Sequence, residues 1–326
     1  MAFFPAASSI LSSIHLNAFL QEKYAFSTDV SCKLIKAGIN HTYLIKDGSD
    51  KFIFRIYSFN WRTEKEISEE IRLLTLLQTN RIPVSYAIAD VNDNFIQTFE
   101  AIEGKRLAVL FSYANGGKML SFSPEIHFKI GEIMANIHKQ TLDLKLERVE
   151  YTPERLVEDS LVNLAGFLPE ESKEMAFMKS TQQYLKQELL SVDLSEIRKG
   201  VVHLDIWFDN LNISSDNEVT IFDFDFCGNG WLCLDIAYYV LQIHSTEKDE
   251  NECNLRKESF LRGYESVTAI SGEEKRLLPM LGVALYLFYI GIQCERYENW
   301  SNTFLNEVYL KRYINLLIKK YFESNQ

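Results

Sequence analysis

The segment Val201–Asn210, which reads Val-Val-His-Leu-Asp-Ile-Trp-Phe-Asp-Asn, is the most informative part of the sequence. It starts with a short β-branched run typical of a strand and continues into a polar segment. A second island, Ile221–Asp225, reads Ile-Phe-Asp-Phe-Asp, and its first aspartate lies thirteen residues beyond Asn210. Carboxylate and amide oxygens suit Mg²⁺, and a carboxylate can also accept a proton from a reacting group. The two islands therefore contain the candidate catalytic and metal-binding residues.

The order of these residues, His-x-Asp-x-x-x-x-Asn followed by Asp-Phe-Asp, resembles the catalytic loop and the metal loop of the kinase superfamily. This form is similar to the aminoglycoside phosphotransferase and choline kinase family, with its bacterial stress-response kinase and homoserine kinase branches. The resemblance covers roughly Lys33 to Tyr264, and Asp235-Ile236-Ala237 resembles the helix start that follows in the family. It implies an enzyme that uses ATP and Mg²⁺ to phosphorylate a hydroxyl group.

The resemblance also implies a role for each residue of the two islands. Asp205 takes the place of the base that orients the acceptor hydroxyl, and His203 braces the loop rather than reacting. Asn210 and Asp223 take the places of the two Mg²⁺ ligands. Asp225 either supports the metal site from its second shell of contacts or only accepts backbone hydrogen bonds in the turn.

Either island alone has a plainer explanation. A buried His-x-Asp pair after a strand is often a hydrogen-bonded structural pair, and Asp-Phe-Asp occurs by chance in acidic loops. Their order, their strand-like neighbours and the following Asp235-Ile236-Ala237 together favour the kinase interpretation.

Two features of the N-terminal part are expected to hold the nucleotide. The family covers the phosphates with backbone N–H groups of a turn between its first two strands, and Gly38 and Asn40 lie in such a turn. The third strand of kinases carries a phosphate-binding lysine, and here Arg55 occupies that place. Arginine keeps the charge but presents a planar fork. The alternative is an ordinary strand arginine that points into solvent.

A helix after that strand is expected to supply the partner of the arginine. Glu70 fits the helix pattern of the family best, with Glu66 and Glu69 as rivals. The strand that contains Phe111 and Tyr113 resembles the hinge whose backbone reads the adenine edge.

The apolar patterning agrees with an α+β, two-lobed, protein-kinase-like fold. Residues 1–111 show short runs rich in β-branched and aromatic residues around one helical stretch, Thr63–Leu77. These predict an N-terminal nucleotide-binding lobe, with a five-stranded antiparallel sheet plus one helix. The glycine-containing segment 112–123 is the predicted hinge or linker.

Residues 124–326 predict a mainly helical C-terminal lobe for catalysis and acceptor binding. The predicted helical stretches are Pro124–His138, Glu154–Leu190, Cys233–Gln242, Leu255–Tyr264 and Glu273–Tyr321. In this half only Val201–Asn212 and Val219–Phe226 are expected to form strand and loop.

Composition excludes several classes of protein. The chain has 326 residues, of which 47% are hydrophobic, and its formal net charge is −11. Residues 1–111 contain 12 basic and 12 acidic residues, so the remainder carries the whole net charge. This argues against nucleic acid as a partner and permits a cationic acceptor. The alternative is that the acidity serves solubility alone. The five scattered cysteines indicate no disulfide framework or zinc site.

No apolar stretch predicts a membrane span, and the N-terminal residues lack the pattern of a signal peptide. A cytoplasmic location is therefore expected. The oligomeric state stays open.

Two departures from the family pattern concern the acceptor. Leu204 replaces the usual glycine between histidine and aspartate, and Trp207-Phe208-Asp209 fills the variable stretch. The two aromatic side chains either face the acceptor or pack against the helical core. The acidic run 246–252 either contacts a cationic acceptor or is a solvated helix end.

A small-molecule kinase acting on an amino alcohol, a sugar or an aminoglycoside-like hydroxyl is the favoured function. The alternatives are a protein Ser/Thr kinase of the bacterial stress-response type and a nucleotide-binding protein without transfer activity. The absence of an Ala-Pro-Glu ending after Asp225 counts against the former, and the intact motif residues count against the latter.

Overall fold

The computed structural model describes residues 4, 6–298, 300 and 302–325, with side chains omitted at 153 and 154. The chain divides into two compact units. Unit 1 comprises Met1–Asn115 and Glu298–Ser301, and unit 2 comprises Gly116–Tyr297 and Asn302–Gln326. The division falls inside segment 112–123.

Unit 1 is an antiparallel sheet with two helices. Its helices are α1 (Ser13–Tyr24) and α2 (Glu64–Thr79), and its strands are β1 (Ser31–Ala37), β2 (His41–Asp47), β3 (Asp50–Ile56), β4 (Ala87–Ile88), β5 (Ile96–Ala101) and β6 (Gly104–Ser112). The strands follow the order β1-β2-β3-β6-β4, and β5 also pairs with β6. The sheet thus has one strand more than the five predicted, because the two-residue β4 is too short to show an alternating pattern.

The sheet of unit 1 buries one face against α1. Leu16 and Leu20, one helical turn apart, pack into a core with Tyr43, Ile45 and Phe54. The sequence pattern gave no sign of α1. On the other side of the turn after β3, Thr63 and Glu66 form a reciprocal capping box that fixes where α2 begins.

Unit 2 is mainly helical. Its helices are α3 (Pro124–Thr141), α4 (Pro153–Leu164), α5 (Lys173–Leu190), α6 (Cys233–Thr246), α7 (Glu250–Glu265), α8 (Gly272–Glu295), α9 (Glu307–Tyr313) and α10 (Lys319–Glu323), with the π-helical turn Ile314–Ile318 between the last two. Its strands are β7 (Lys199–Val202), β8 (Leu211–Ile213), β9 (Val219–Ile221) and β10 (Gly228–Trp231). β7 pairs with β10 and β8 pairs with β9, both antiparallel.

Helices α3 and α7 cross with their backbones in contact. A Cβ atom added to Gly131 would lie 2.2 Å from the carbonyl oxygen of Phe260, and one added to Gly263 would lie 2.0 Å from that of Phe128. Real Cβ contacts are not this short, so both positions require glycine at this crossing.

Within the part of the chain that the structure describes, α8 is the one helix long and apolar enough to cross a membrane. Of its most apolar window, 78% is buried, and it packs against α4 and α6. This is the packing of a core helix.

Candidate active site

The predicted catalytic loop, residues 203–210, follows β7, and both carboxylate oxygens of its Asp205 accept hydrogen bonds. The Nδ2 of Asn210 donates to Asp205 Oδ2 at 2.7 Å, and the hydroxyl of Tyr238 donates to Asp205 Oδ1 at 2.7 Å. Asp205 is partly exposed, whereas Asn210 is buried. Hydrogen bonds to a carboxylate are among the stronger ones in proteins, so the orientation of Asp205 is fixed before any substrate binds.

The amide of Asn210 has a defined orientation. Its Nδ2 also donates to the backbone oxygen of Asp205 at 3.0 Å. Both partners are acceptors, so they can only face the amide nitrogen. Its Oδ1 accepts no hydrogen bond within the described residues, and this oxygen is the atom that a metal ion would use.

His203 links the catalytic loop to the segment before Asp223. Its Nδ1 accepts from the N–H of Asp205 at 3.1 Å, and its Nε2 lies 3.2 Å from the oxygen of Phe222. A backbone N–H can only donate and a carbonyl can only accept, so the ring carries its proton on Nε2. Burial lowers the pKa of His203, which keeps the ring neutral. The contacts of His203 are therefore those of a brace between two loops.

Asp235, in the first turn of α6, accepts hydrogen bonds from the backbone of the same loop. Its Oδ2 accepts from the N–H of His203 at 2.8 Å and its Oδ1 from that of Leu204 at 2.6 Å. His138 on α3 approaches Oδ2 at 3.1 Å and in turn contacts Tyr264 at 2.8 Å. One buried carboxylate thus satisfies two backbone donors of the loop.

These contacts explain how leucine replaces the usual glycine. Leu204 has φ +62°, in the left-handed region that costs a non-glycine residue about 1–2 kcal/mol. The hydroxyl of Tyr289 on α8 donates to the oxygen of Leu204, so both of its backbone groups are held. The side chain is fully buried, and this burial offsets the strain.

The predicted metal-binding loop, residues 222–225, follows β9. Asp223 also has a left-handed backbone, with φ +66°, and is partly exposed. Asp225 is buried, and its backbone oxygen accepts from Arg148 at 2.5 Å. The N–H of Phe222 donates to the oxygen of Asn210 at 3.0 Å. The two motif islands therefore lie side by side in unit 2.

The donor set fits Mg²⁺ better than a softer metal. Within the described residues no group of three or more His, Cys, Asp or Glu side chains forms a metal cluster. Mg²⁺ takes one or two carboxylates, retains waters and binds substrate phosphates, so Asp223 and the Oδ1 of Asn210 would be enough.

In unit 1 the structure brings Arg55 and Glu70 together. Both side chains are buried, and Arg55 Nη1 lies 2.8 Å from Glu70 Oε1. Tyr57 donates to the other oxygen of Glu70 at 2.9 Å. The guanidinium carbon of Arg55 lies 4.6 Å from the ring centroid of Phe111, so this ring covers the ion pair. Arg55 does not point into solvent.

The rivals of Glu70 have other partners. Glu66 caps α2 through Thr63, and Glu69 pairs with Arg72 at 2.8 Å.

The other nucleotide candidates also lie in unit 1. Gly38 and Asn40 form the turn between β1 and β2, where the N–H of Gly38 donates to the oxygen of Asn40 at 3.2 Å. Asn40 Oδ1 accepts from the N–H of Ser58 at 3.3 Å, which ties the turn to the end of β3. Tyr113 is partly exposed just after β6 and lies under Lys51, with 5.2 Å from Nζ to the ring centroid.

The acidic side chains of the run 246–252 mainly make contacts within the start of α7 and the turn before it. Asp249 caps α7 by accepting from the N–H of Glu252 at 3.0 Å. Glu247 accepts from the N–H groups of Lys248 and Asp249 and pairs with Arg256 at 2.8 Å.

Sequence reasoning missed the residues that support the loop from other helices, namely His138, Tyr238 and Tyr289. A tyrosine or histidine on a buried helix face carries no local signal of the loop it will touch. Asp235 did have a signal, since it lies in the stretch that resembles the family.

The chain is similar to known proteins over most of its length. The family model described as phosphotransferase enzyme family matches residues 31–270. A homoserine kinase of Methylobacillus glycogenes is 26% identical over 258 residues, which cover 78% of this chain and 77% of that protein.

Two solved structures share the fold. A microcompartment-associated aminopropanol kinase aligns with a TM-score of 0.76 and 20% identity over 96% of this chain and 98% of that one. An amicoumacin kinase in complex with AMP-PNP, Ca²⁺ and its ligand aligns with a TM-score of 0.75 and 16% identity over 94% of each chain. The kinase-like α+β fold predicted from the sequence is confirmed.

The family match spans both units and contains both motif islands. The chain therefore belongs to the phosphotransferase enzyme family, whose members include kinases of small-molecule hydroxyl groups.

Proposed function

We propose that this chain transfers the γ-phosphate of ATP to the hydroxyl group of a small amino alcohol or hydroxy amino acid, with Asp205 as the base. The family supports an ATP-dependent small-molecule phosphotransferase with an alcohol acceptor. The names of the homoserine and aminopropanol kinases support the narrower acceptor class. The observation that carries the proposal is the carboxylate of Asp205, which is fixed at both oxygens beside an amide whose oxygen is available.

In the proposed reaction the acceptor hydroxyl donates a hydrogen bond to Asp205. As the acceptor oxygen bonds to the γ-phosphorus, the bond from that phosphorus to the β,γ-bridging oxygen breaks and ADP leaves. The proton of the hydroxyl passes to the carboxylate of Asp205, so atoms and charge balance. In such a reaction positioning contributes as much as proton transfer.

Asn210 and Asp223 would hold Mg²⁺, and the bound ion would neutralise charge on the phosphates of ATP. Asn210 has a second task, since its Nδ2 orients the base. Arg55 would contact the phosphates, held by Glu70, while the turn at Gly38 and Asn40 would present backbone N–H groups to them. The backbone near Phe111 and Tyr113 would read the adenine edge. A cytoplasmic enzyme fits a reaction that consumes ATP.

The direct test is ADP release by the purified protein with ATP and Mg²⁺, using 3-aminopropan-1-ol, L-homoserine and an aminocyclitol as acceptors. The substitution Asp205→Asn should lower kcat by about 10²–10⁴, the range of general acid–base catalysis, with ATP affinity unchanged in calorimetry. Asp216→Asn, at an exposed turn, is the matched control and should leave kcat unchanged. An Asp205→Asn enzyme with the wild-type rate would remove this residue from the mechanism.

A further inference from the structure

A small cavity in unit 2 lies next to the catalytic loop. Its walls include the rings of Phe122, Trp207, Phe208 and Tyr239, together with His127 and Arg256. Its volume is about 20 Å³, enough for one water-sized group. Tyr239 directly follows Tyr238, whose hydroxyl donates to Asp205. The same turn of α6 therefore supplies a wall of the cavity and a hydrogen bond to the proposed base.

Two side chains at this cavity each have a buried nitrogen donor that makes no hydrogen bond. Within the described part of the chain, neither His127 Nε2 nor Arg256 Nε makes a hydrogen bond. His127 is only 4% exposed. A buried donor left unpaired costs about 1–3 kcal/mol, so two beside one cavity need an explanation.

The contacts of His127 define which of its nitrogens carries the proton. The hydroxyl of Tyr239 lies 2.9 Å from Nδ1. Burial raises the pKa of Tyr239 well above its usual value, so this hydroxyl keeps its proton. If it donates to Nδ1, only Nε2–H stays unpaired, whereas the reverse arrangement would orphan the buried hydroxyl proton as well.

The charged groups around the cavity carry no net positive charge, because two carboxylates lie beside its arginine. Burial, with a smaller effect of Arg256, lowers the pKa of His127 to about 4, so its ring is neutral near pH 7. Arg256 Nη1 lies 2.8 Å from Glu247 Oε2, and Arg256 Nε lies 3.8 Å from Glu252 Oε2, which is too far for a hydrogen bond. The cavity therefore presents N–H donors without net positive charge, and an uncharged oxygen acceptor suits it at least as well as a charged one.

We propose that this cavity is the part of the acceptor site that recognises a carboxyl-type oxygen of a small alcohol, through His127 Nε2 and Arg256 Nε. An amino group of the same acceptor would lie against the aromatic rings. The inference rests on the proposed function and narrows its acceptor to hydroxy amino acids and their amides. A cavity of this size holds one terminal group and disfavours a bulky aminocyclitol.

The test compares acceptors that differ in this one group. 3-Aminopropan-1-ol is L-homoserine with hydrogen in place of the carboxyl group, and L-homoserine amide replaces the charged oxygen with a neutral one. We expect kcat/KM for homoserine and its amide to exceed that for 3-aminopropan-1-ol. His127→Asn keeps an acceptor for Tyr239 but removes the Nε2 donor, so it should reduce this preference about tenfold, as expected for one hydrogen bond.

Two further variants complete the design. His127→Gln places an amide nitrogen near the position of Nε2 and should restore part of the preference. His244→Asn makes the same change at an exposed histidine of α6 and should leave the preference unchanged. Calorimetry with homoserine, without nucleotide, gives the binding effect separately from turnover.

The outcomes separate the two proposals. Equal kcat/KM for homoserine and 3-aminopropan-1-ol, or an equal loss for both in His127→Asn, would overturn this inference and leave the proposed function standing. Homoserine that binds, loses affinity in His127→Asn and is never phosphorylated would support the cavity while overturning the proposed function. If neither homoserine nor its amide binds, the inference is wrong.

Discussion

At the scale of single residues, Asp205 is held by two donors that come from different parts of the chain. Asn210 belongs to its own loop, whereas Tyr238 belongs to α6. Desolvation, together with the neighbouring Asp205 carboxylate, raises the pKa of Tyr238 well above its usual value. Tyr238 is therefore a protonated donor at any pH at which the enzyme would work, and it would act through the proposed base Asp205.

Tyr238→Phe should lower kcat about tenfold or more, because a hydrogen bond to a charged group contributes about 1.5–3 kcal/mol. KM for ATP should stay unchanged, since the substitution leaves unit 1 intact. Steady-state kinetics with a saturating alcohol acceptor measures both values. Tyr309→Phe, on α9, is the matched control. If both variants keep the wild-type kcat, Tyr238 has no positioning role.

The buried pair of Arg55 and Glu70 allows stability to be separated from nucleotide binding. Arg55→Met alone leaves the carboxylate of Glu70 buried and should destabilise unit 1 by about 3–5 kcal/mol. Adding Glu70→Gln removes that charge and still accepts from Tyr57, so the double variant should regain most of the stability.

The ATP affinity of the double variant should stay reduced, because the charge of Arg55 that is proposed to contact the phosphates is gone. Urea unfolding and calorimetry with ATP measure the two effects. A double variant that binds ATP like the wild type would show that Arg55 is only structural.

The sequence predicted the residues of the site where the motif is local and dense. Asp205, Asn210 and Asp223 were predicted from the resemblance of their motif to the family, and Arg55 with Glu70 from the family's pattern of a strand and the following helix. Tyr238 could not be found this way, because its contact with the loop exists only once α6 packs beneath it. The roles assigned to the residues predicted from the sequence stay predictions.

At the scale of elements, α3 and α7 pack more closely than side chains would allow. The missing Cβ atoms of Gly131 and Gly263 let each backbone touch the other helix. Helix α3 also carries His138, which supports Asp235 beneath the catalytic loop. The crossing therefore helps to position the site from a distance.

Gly263→Ala should destabilise the protein by about 1–3 kcal/mol, although alanine is the better helix former by about 1 kcal/mol. The reason is the contact of 2.0 Å that its Cβ would make with the oxygen of Phe128. Gly272→Ala, at the start of α8 with no atom within 4 Å, should be neutral or slightly stabilising. Urea unfolding of both variants gives the comparison, and equal midpoints would contradict it.

The elements themselves were predictable where their apolar period is long and regular. Helices α2, α3 and α6 match their predicted stretches within a few residues, and β7, β8 and β9 overlap the stretches Val201–Asn212 and Val219–Phe226 that were predicted to form strand and loop. The predicted helix Glu154–Leu190 is instead two helices, because residues 165–172 leave the helix and Ser172 caps α5 anew. The predicted helix Glu273–Tyr321 is likewise interrupted after Glu295.

Two elements left no usable pattern. α1 has only two buried residues, and β10 contains two glycines in its four residues. Its pairing with β7 supplies the structure that its own side chains do not predict.

At the scale of the whole molecule, each unit contains a buried histidine that resists protonation. Burial, with a nearby arginine, lowers the pKa to about 4 for His41 in unit 1 and for His127 in unit 2. The unfolded chain protonates these residues near pH 6.5, whereas the folded chain does so only near pH 4.

The contribution of these two histidines to stability is therefore complete above about pH 6.5 and is lost as the pH falls toward 4, because the unfolded state binds more protons in that window. Urea unfolding at pH 7.5 and pH 5 should show the decrease, before most carboxylates titrate. His41→Gln should make the dependence shallower. A free energy of unfolding that is constant between these pH values would contradict the prediction.

The general architecture follows from the sequence because binary patterning and one motif agree on it. An antiparallel sheet first and helices afterwards, with two polar islands between strands, leave few folds to choose from. The identity of the acceptor cannot be predicted from the sequence in the same way. The cavity proposed to bind it forms only in the folded unit, from residues far apart in the chain, among them Phe122, His127, Trp207 and Arg256.

The buried guanidinium of Arg106, a residue of β6 in unit 1, limits how far this chain can be shortened. Arg106 is 1% exposed and donates to the backbone oxygens of Ser9 and Tyr57 at 2.7 and 2.8 Å. Its carboxylate partner Glu103 is itself held by Ser9. A fragment trimmed to residues 31–270, the range of the family match, would strip this charge of an acceptor and remove α1 from the core. For this chain the boundary recognised by homology is therefore narrower than the boundary of a unit that can be expected to fold.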